Sequence, residues 1–173
     1  MEIERLKSKG RGRILFVCHG NICRSPMAEY IFKHLVEERG LSNRFSAESR
    51  ATSTEEIWNG VGNPVYPQAR AELERHGVFC GRRQATRLEP CDYREFDLIL
   101  GMDQANLRNM RRILGNDPDR KLGLLMEFTE RGGEVADPWY SDRFDVAYRD
   151  IFDGCEGLLR ALTDENGKER DPL

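Results

Sequence analysis

The sequence lacks any run approaching the ~18 apolar residues that a membrane span needs, and its first stretch, Met1 to Arg13, is charged and without the apolar core of a signal peptide. The expected setting is therefore the cytoplasm, with no membrane partner. An excess of positive charge is missing as well. With 27 Lys and Arg against 30 Asp and Glu, the net charge of -3 argues against a general nucleic-acid binder. The five cysteines, Cys18, Cys23, Cys80, Cys91 and Cys155, are odd in number and show neither paired Cys-x2-Cys nor Cys/His zinc spacing. A reduced protein with no metal and no cofactor is expected. Repeats, low-complexity tracts and internal linkers are absent too, so the 173 residues read as one domain over 13–162, with a flexible segment at 1–12 and a polar tail at 163–173.

What is present is an alternation of two periods. Arg13 to Val17 is a short apolar run of the kind that makes a strand buried on both faces. From Ser25 to about Arg39, Met27, Ile31 and Leu35 recur every four residues and predict a helix, with Ser25 as N-cap, Pro26 at the first helical position and Gly40 as the stop. Phe45 to Ala51 predicts a second strand, Pro67 to about His76 a helix, Asp97 to Leu100 a third strand followed by a helix through Leu107, Met110 and Leu114, and Lys121 to Met126 a fourth strand. The last helix is expected over roughly 142–162, weakened by Gly154 and Gly157. Strands alternating with helices imply an α/β domain, a doubly wound parallel sheet with helices on both faces.

In such a sheet the turn after the first strand is a favoured ligand site, and that turn reads Cys18-His19-Gly20-Asn21-Ile22-Cys23-Arg24-Ser25. Successive backbone N–H groups closed by a helix N-terminus cradle a tetrahedral oxyanion. Gly20 lets the backbone come close, Asn21 tolerates the left-handed conformation, and Arg24 adds a planar fork for two phosphate oxygens. A cysteine at the base of this cradle is surrounded by groups that favour a nucleophilic thiolate. Cys18 is then expected to attack phosphorus and form a phosphocysteine, with the Ser25 hydroxyl easing its departure. A Cys-x5-Arg spacing alone occurs often by chance; here it comes with Gly20, Asn21, Ser25 and Pro26 between strand and helix. Asp137, in Ala136-Asp137-Pro138-Trp139-Tyr140, is the candidate general acid, and Trp139 with Tyr140 supplies flat walls for an aryl group. By pattern alone an Asp-Pro pair is most often a turn.

Together these residues resemble the low-molecular-weight protein tyrosine phosphatase family, from Arg13 to Leu162. Val17 to Glu29 matches its signature loop, Glu48-Ser49-Arg50-Ala51-Thr52 is similar to its segment after strand two, Ile99 to Asn106 to its Met-Asp-x-x-Asn stretch, and Asp137-Pro138-Trp139-Tyr140 to its acid loop. The resemblance implies a four-stranded parallel sheet, flavodoxin-like and of the phosphotyrosine phosphatase I type. It also implies hydrolysis of protein phosphotyrosine, with Cys18 as nucleophile, Arg24 as phosphate binder and Asp137 as acid and then base. His19, Gly20, Asn21, Ile22, Cys23, Ser25, Trp139 and Tyr140 would line the substrate and phosphate site, and Asn21, Ser25 and Ser49 would brace the loop. Cys23 would form a disulfide with Cys18 under oxidant, making the enzyme redox-regulated. Phosphotyrosine-containing proteins are the implied partners, with a cognate tyrosine kinase. Where the family often has a histidine and an arginine, this chain reads Arg83-Gln84-Ala85-Thr86, a departure in the bracing region. Ile22 is bulky where a phosphoarginine-directed branch has threonine, which suits an aryl phosphate. Trp58 is a further candidate wall.

Two other readings share the loop. A thioredoxin-coupled arsenate reductase would pass electrons along cysteines after the third strand, where this chain has Gly101-Met102-Asp103. A non-hydrolytic phosphocysteine carrier or phosphate-binding module would need neither Asp137 nor the aromatic pair.

Overall fold

The computed structural model describes residues 2–163. Of the tail expected at 163–173, residues 164–173 lie outside the described residues. Four parallel strands form the sheet: β1 (Gly12–Cys18), β2 (Phe45–Ala51), β5 (Leu98–Gly101) and β6 (Leu122–Leu124), in the order β2-β1-β5-β6. A two-stranded antiparallel hairpin, β3 (Ile57–Trp58) and β4 (Val61–Gly62), stands apart from it. The sequence pattern did not mark this hairpin, because each arm is only two residues long.

The helices are α1 (Ile3–Lys9), α2 (Arg24–Glu38), α3 (Pro67–Arg75), α4 (Asp92–Glu95), α5 (Gln104–Leu114), α6 (Pro138–Ser141) and α7 (Phe144–Thr163). Strand β1 explains why both sheet faces are covered, since its side chains alternate between two cores. Ile14, Phe16 and Cys18 join the cluster built with Met27, Ile31 and Leu35 of α2 and Ile151, Cys155 and Leu158 of α7. Leu15 and Val17 join the other, with Leu107 and Met110 of α5. This is the doubly wound four-stranded sheet that the alternating periods predict.

Four local expectations need correction. The segment 1–12 is not a flexible lead: residues 3–9 form α1, whose Leu6 is 2% exposed in the core, and Gly10 at φ 65° ends the helix by donating to the Leu6 and Lys7 carbonyls. The fourth strand is shorter than 121–126, because Leu125–Phe128 turn into a 3-10 helix whose Glu127 carboxylate accepts the Leu124 N–H at 3.2 Å. Helix α2 starts at Arg24, with Cys23 rather than Ser25 at the N-cap; Pro26 is its third residue, still inside the first turn where no acceptor awaits an N–H. Finally, Gly154 and Gly157 do not interrupt α7. A Cβ on Gly157 would lie 1.9 Å from the Phe128 carbonyl oxygen, and one on Gly154 2.6 Å from Leu125 Cγ, so these glycines let α7 pack directly on 125–128.

Candidate active site

Strand β1 delivers Cys18 to the carboxyl edge of the sheet, where its side chain is almost fully covered. Three donors meet the sulfur. The backbone N–H groups of Asn21 and Ser25 point at Sγ from 3.3 and 3.4 Å, and the Ser25 hydroxyl lies 3.0 Å away. The Asn21 side-chain amide donates to Ser25 Oγ at 2.8 Å, and the hydroxyl proton then has two acceptors, the Cys18 sulfur at 3.0 Å and the Arg50 carbonyl at 3.5 Å, of which the sulfur is the nearer.

Curling seven residues around one sulfur requires a left-handed residue, and Asn21 supplies it at φ 59°. Its side chain is fixed from both ends. Nδ2 donates also to Ser49 Oγ at 2.9 Å, while Oδ1 accepts from Arg83 Nη2 at 2.6 Å and from the Thr86 N–H at 3.0 Å. Ser49 Oγ donates to Glu29 at 2.8 Å, and Arg83 Nη1 donates to both Glu29 and Ser49. Arg83 therefore fills the bracing region in which the sequence departs from the family pattern. Asn21 and Ser25, expected both in the phosphate site and as braces, turn their side chains into this network and their backbone N–H groups toward the Cys18 sulfur.

Arg24 is buried at the start of α2. Nη1 donates to Asp103 Oδ2 at 2.7 Å and to the Val135 carbonyl at 2.9 Å, and Nη2 reaches Asp137 Oδ2 at 3.5 Å. Burial works against its charge, but Cys18, Asp103 and Asp137 outweigh that and raise the guanidinium above its ordinary pKa. Cys23 sits in the same wall with the opposite outcome. Burial first, then the negative charges of Cys18 and Asp137, push its thiol well up, so it stays protonated beside the Cys18 sulfur. All five cysteines are free.

Asp137 is the N-cap of α6 as well as a neighbour of Arg24, since its Oδ1 accepts the Trp139 N–H at 3.0 Å. The cap aims the following aromatics across the mouth. Trp139 packs on Tyr66 with ring centroids 5.3 Å apart, and the Tyr66 N–H donates to the Ile22 carbonyl at 2.8 Å, which ties the Asp137 loop to the cysteine loop. Between them lies a cleft of about 380 Å³, lined by Cys18, His19, Gly20, Ile22, Cys23 and Arg24 below and by Asp137, Trp139 and Tyr140 at the side.

Glu55 and Glu56 complete the rim, and Glu55 sits 3.0 Å from His19 Nε2. Trp58 does not line the cleft; it projects from the hairpin, 73% exposed. Sequence reasoning missed Glu29, Tyr66 and the Glu55-Glu56 rim as site residues, and gave Asp103 no role. Asp103 did carry a signal: with Asn106 three residues on it forms a capping box at the start of α5.

The profile of the family described as low molecular weight phosphotyrosine protein phosphatase matches residues 13–170. Among similar proteins, the low molecular weight protein-tyrosine-phosphatase YfkJ of Bacillus subtilis is 34% identical over 154 residues, which cover 88% of this chain and 96% of that protein. The low molecular weight phosphotyrosine protein phosphatase of Schizosaccharomyces pombe is 37% identical over 155 residues, covering 87% and 96%. The crystal structure of B. subtilis YfkJ superposes with a TM-score of 0.83 at 31% identity, over 91% of this chain and 98% of that one. That of the Streptococcus pyogenes enzyme SP-PTP gives 0.78 at 34%, over 89% and 95%.

Proposed function

The chain belongs to the low molecular weight phosphotyrosine protein phosphatase family, and from that premise we propose that it hydrolyses phosphotyrosine in proteins through a phosphocysteine on Cys18. One observation carries the residue assignment: the Cys18 sulfur receives three donors at the base of a cleft that Asp137 overlooks from across Arg24.

In the first step the Cys18 thiolate attacks phosphorus, the S–P bond forms, and the P–O bond to the tyrosine oxygen breaks. Asp137 gives its proton to that leaving oxygen. Arg24 turns from Asp137 to the equatorial phosphoryl oxygens, which the loop amides also hold as charge builds on them. In the second step Asp137, now a carboxylate, takes a proton from water as the water oxygen attacks phosphorus. The S–P bond breaks, and Ser25 Oγ hydrogen-bonds the departing sulfur. Phosphate leaves with both protein groups restored.

Ile22, Trp139 and Tyr140 give the cleft flat apolar walls that suit an aryl phosphate better than a compact charged one. A tyrosine kinase that makes the substrate is the partner class this implies. Residues 13–162 would act as the single catalytic domain, with α1 packed on it through Leu6. No helix among the described residues is long and apolar enough to cross a membrane, and the composition supports a cytoplasmic setting. The free thiols Cys18 and Cys23, neighbours in one wall, are the pair that an oxidant would join.

The test is hydrolysis of p-nitrophenyl phosphate and phosphotyrosine peptides under reducing conditions without added metal, beside phosphoserine and phosphoarginine. Turnover of the tyrosine substrates, lost in Cys18→Ser, is expected. No turnover by the wild-type protein would overturn the reading. Arsenate reduction with thioredoxin that survives Asp137→Asn would replace it with the redox one.

A further inference from the structure

A second cleft, of about 850 Å³, shares no lining residue with the one at Cys18. Its charge is lopsided: Lys33, Arg50, Arg70, Arg82 and Arg83 face only Glu29 and Glu48. Glu29 pairs with Lys33 at 2.8 Å and with Arg83, and Glu48 with Arg50 at 3.3 Å. That leaves two guanidinium groups uncompensated. Among the described residues neither Arg70 nor Arg82 has a carboxylate partner. Arg70 is nevertheless held in place, since its two terminal nitrogens donate to the Cys80 and Gly81 carbonyls at 2.8 and 3.0 Å. In addition, Arg83 Nε is enclosed without any hydrogen-bond partner. A concave site lined by guanidinium groups that no carboxylate neutralises has the chemistry that recognises phosphate groups.

The cleft also reaches the catalytic loop through one side chain. Arg83 lines it and donates to Asn21 Oδ1 at 2.6 Å, and Asn21 is the left-handed residue whose N–H meets the Cys18 sulfur at 3.3 Å. We propose that this cleft binds a small anion carrying two or more phosphate groups, which draws Arg83 off Asn21 and Ser49 and so slows turnover at Cys18 without competing for the substrate. Two phosphates match the two guanidinium charges, on Arg70 and Arg82, that no carboxylate neutralises among the described residues, whereas a single phosphate would leave one of them unused. The binding half stands on the cleft alone; the inhibitory half rests on Cys18 being the nucleophile.

Inorganic tripolyphosphate is the probe. Calorimetry on Arg24→Ala, which lacks the phosphate fork of the Cys18 loop, should show one bound tripolyphosphate, weakened by rising salt. Adding Arg82→Glu, an exposed position, should weaken it about 10-fold or more by reversing one charge. The same loss should appear with Arg82→Glu alone, which covers the case in which Arg24→Ala does not fold. In the wild-type protein tripolyphosphate should lower kcat for p-nitrophenyl phosphate with KM unchanged, and Arg82→Glu should relieve that. Three results would overturn the proposal: competitive inhibition untouched by Arg82→Glu, which places the anion at Cys18; binding in the cleft with no effect on kcat; or equal affinity for citrate, which has no phosphate. Because calorimetry needs no turnover, a catalytically silent protein would still report on the cleft.

Discussion

Asp103 Oδ2 accepts a hydrogen bond from Arg24 Nη1 at 2.7 Å, and it does so from the N-cap of α5, where its other oxygen accepts the Asn106 N–H at 2.8 Å. One carboxylate thus locks a helix end and one edge of the guanidinium together. The other edge, toward Asp137 at 3.5 Å, is held loosely. Asp103→Asn keeps the cap but gives up the charge-assisted bond, worth roughly 1.5–3 kcal/mol. We expect kcat/KM for p-nitrophenyl phosphate to fall about 10-fold or more. An unchanged value would mean that Arg24 is positioned by the Val135 carbonyl alone.

Asp137→Asn removes the transferable proton while an amide oxygen can still cap Trp139. For phenyl phosphate, whose leaving group is poor, kcat should drop by about 10²–10⁴. For p-nitrophenyl phosphate, with its better leaving group, the drop should be smaller. Equal losses across a series of leaving groups would remove Asp137 from the acid role.

Cys18 and Cys23 should react very differently with iodoacetamide. Burial and two neighbouring negative charges push the Cys23 thiol up, and a raised thiol pKa means less thiolate, the reactive form, at neutral pH. Peptide mass spectrometry after brief labelling at pH 7 should find carbamidomethyl on Cys18 and little on Cys23. Faster labelling of Cys23 would show that its thiol is not held up, since the two side chains are about equally covered.

Gly157→Ala tests the contact between α7 and the 3-10 helix. Alanine favours the helix by about 1 kcal/mol, but its Cβ would stand 1.9 Å from the Phe128 oxygen. Overpacking of that kind costs roughly 1–3 kcal/mol, so the clash wins and the urea midpoint should fall. A midpoint that rises would show that α7 can shift away at little cost.

Stability should also decline at high pH through Tyr30, whose burial raises its hydroxyl pKa from 10.0 to about 12. The folded state then holds the proton more tightly than the unfolded chain. The stabilisation is complete below about pH 10 and disappears as pH approaches 12. Tyr30→Phe should flatten the decline in that window; a decline of unchanged steepness would assign it to other groups.

How much of this was legible depended on how far apart in the chain the partners stand. The run from Cys18 to Ser25 is contiguous, so its loop shape follows from local rules: a strand end, a left-handed residue, a helix start. The strands and long helices were equally plain, because burial on one face writes a period into the residues themselves. Ser25 was misread as the N-cap because its hydroxyl has a better partner in the Cys18 sulfur, seven residues back, which propensity does not see. Gly154 and Gly157 looked like flaws in a helix until the 3-10 turn they pack against was in view.

The sequence by itself determined the α/β layering and the placement of Cys18 and Arg24 in one loop between a strand end and a helix start, since each rests on neighbours in the chain. Tertiary structure decided the rest. Arg83 and Glu29, 54 residues apart, meet to hold Asn21; Asp103 and Asp137 flank Arg24 from positions 79 and 113 residues away. No local pattern encodes those meetings. They exist because parallel crossovers bring the carboxyl ends of β1, β2 and β5 to one edge of the sheet, where loops that are remote in sequence share the same few ångströms.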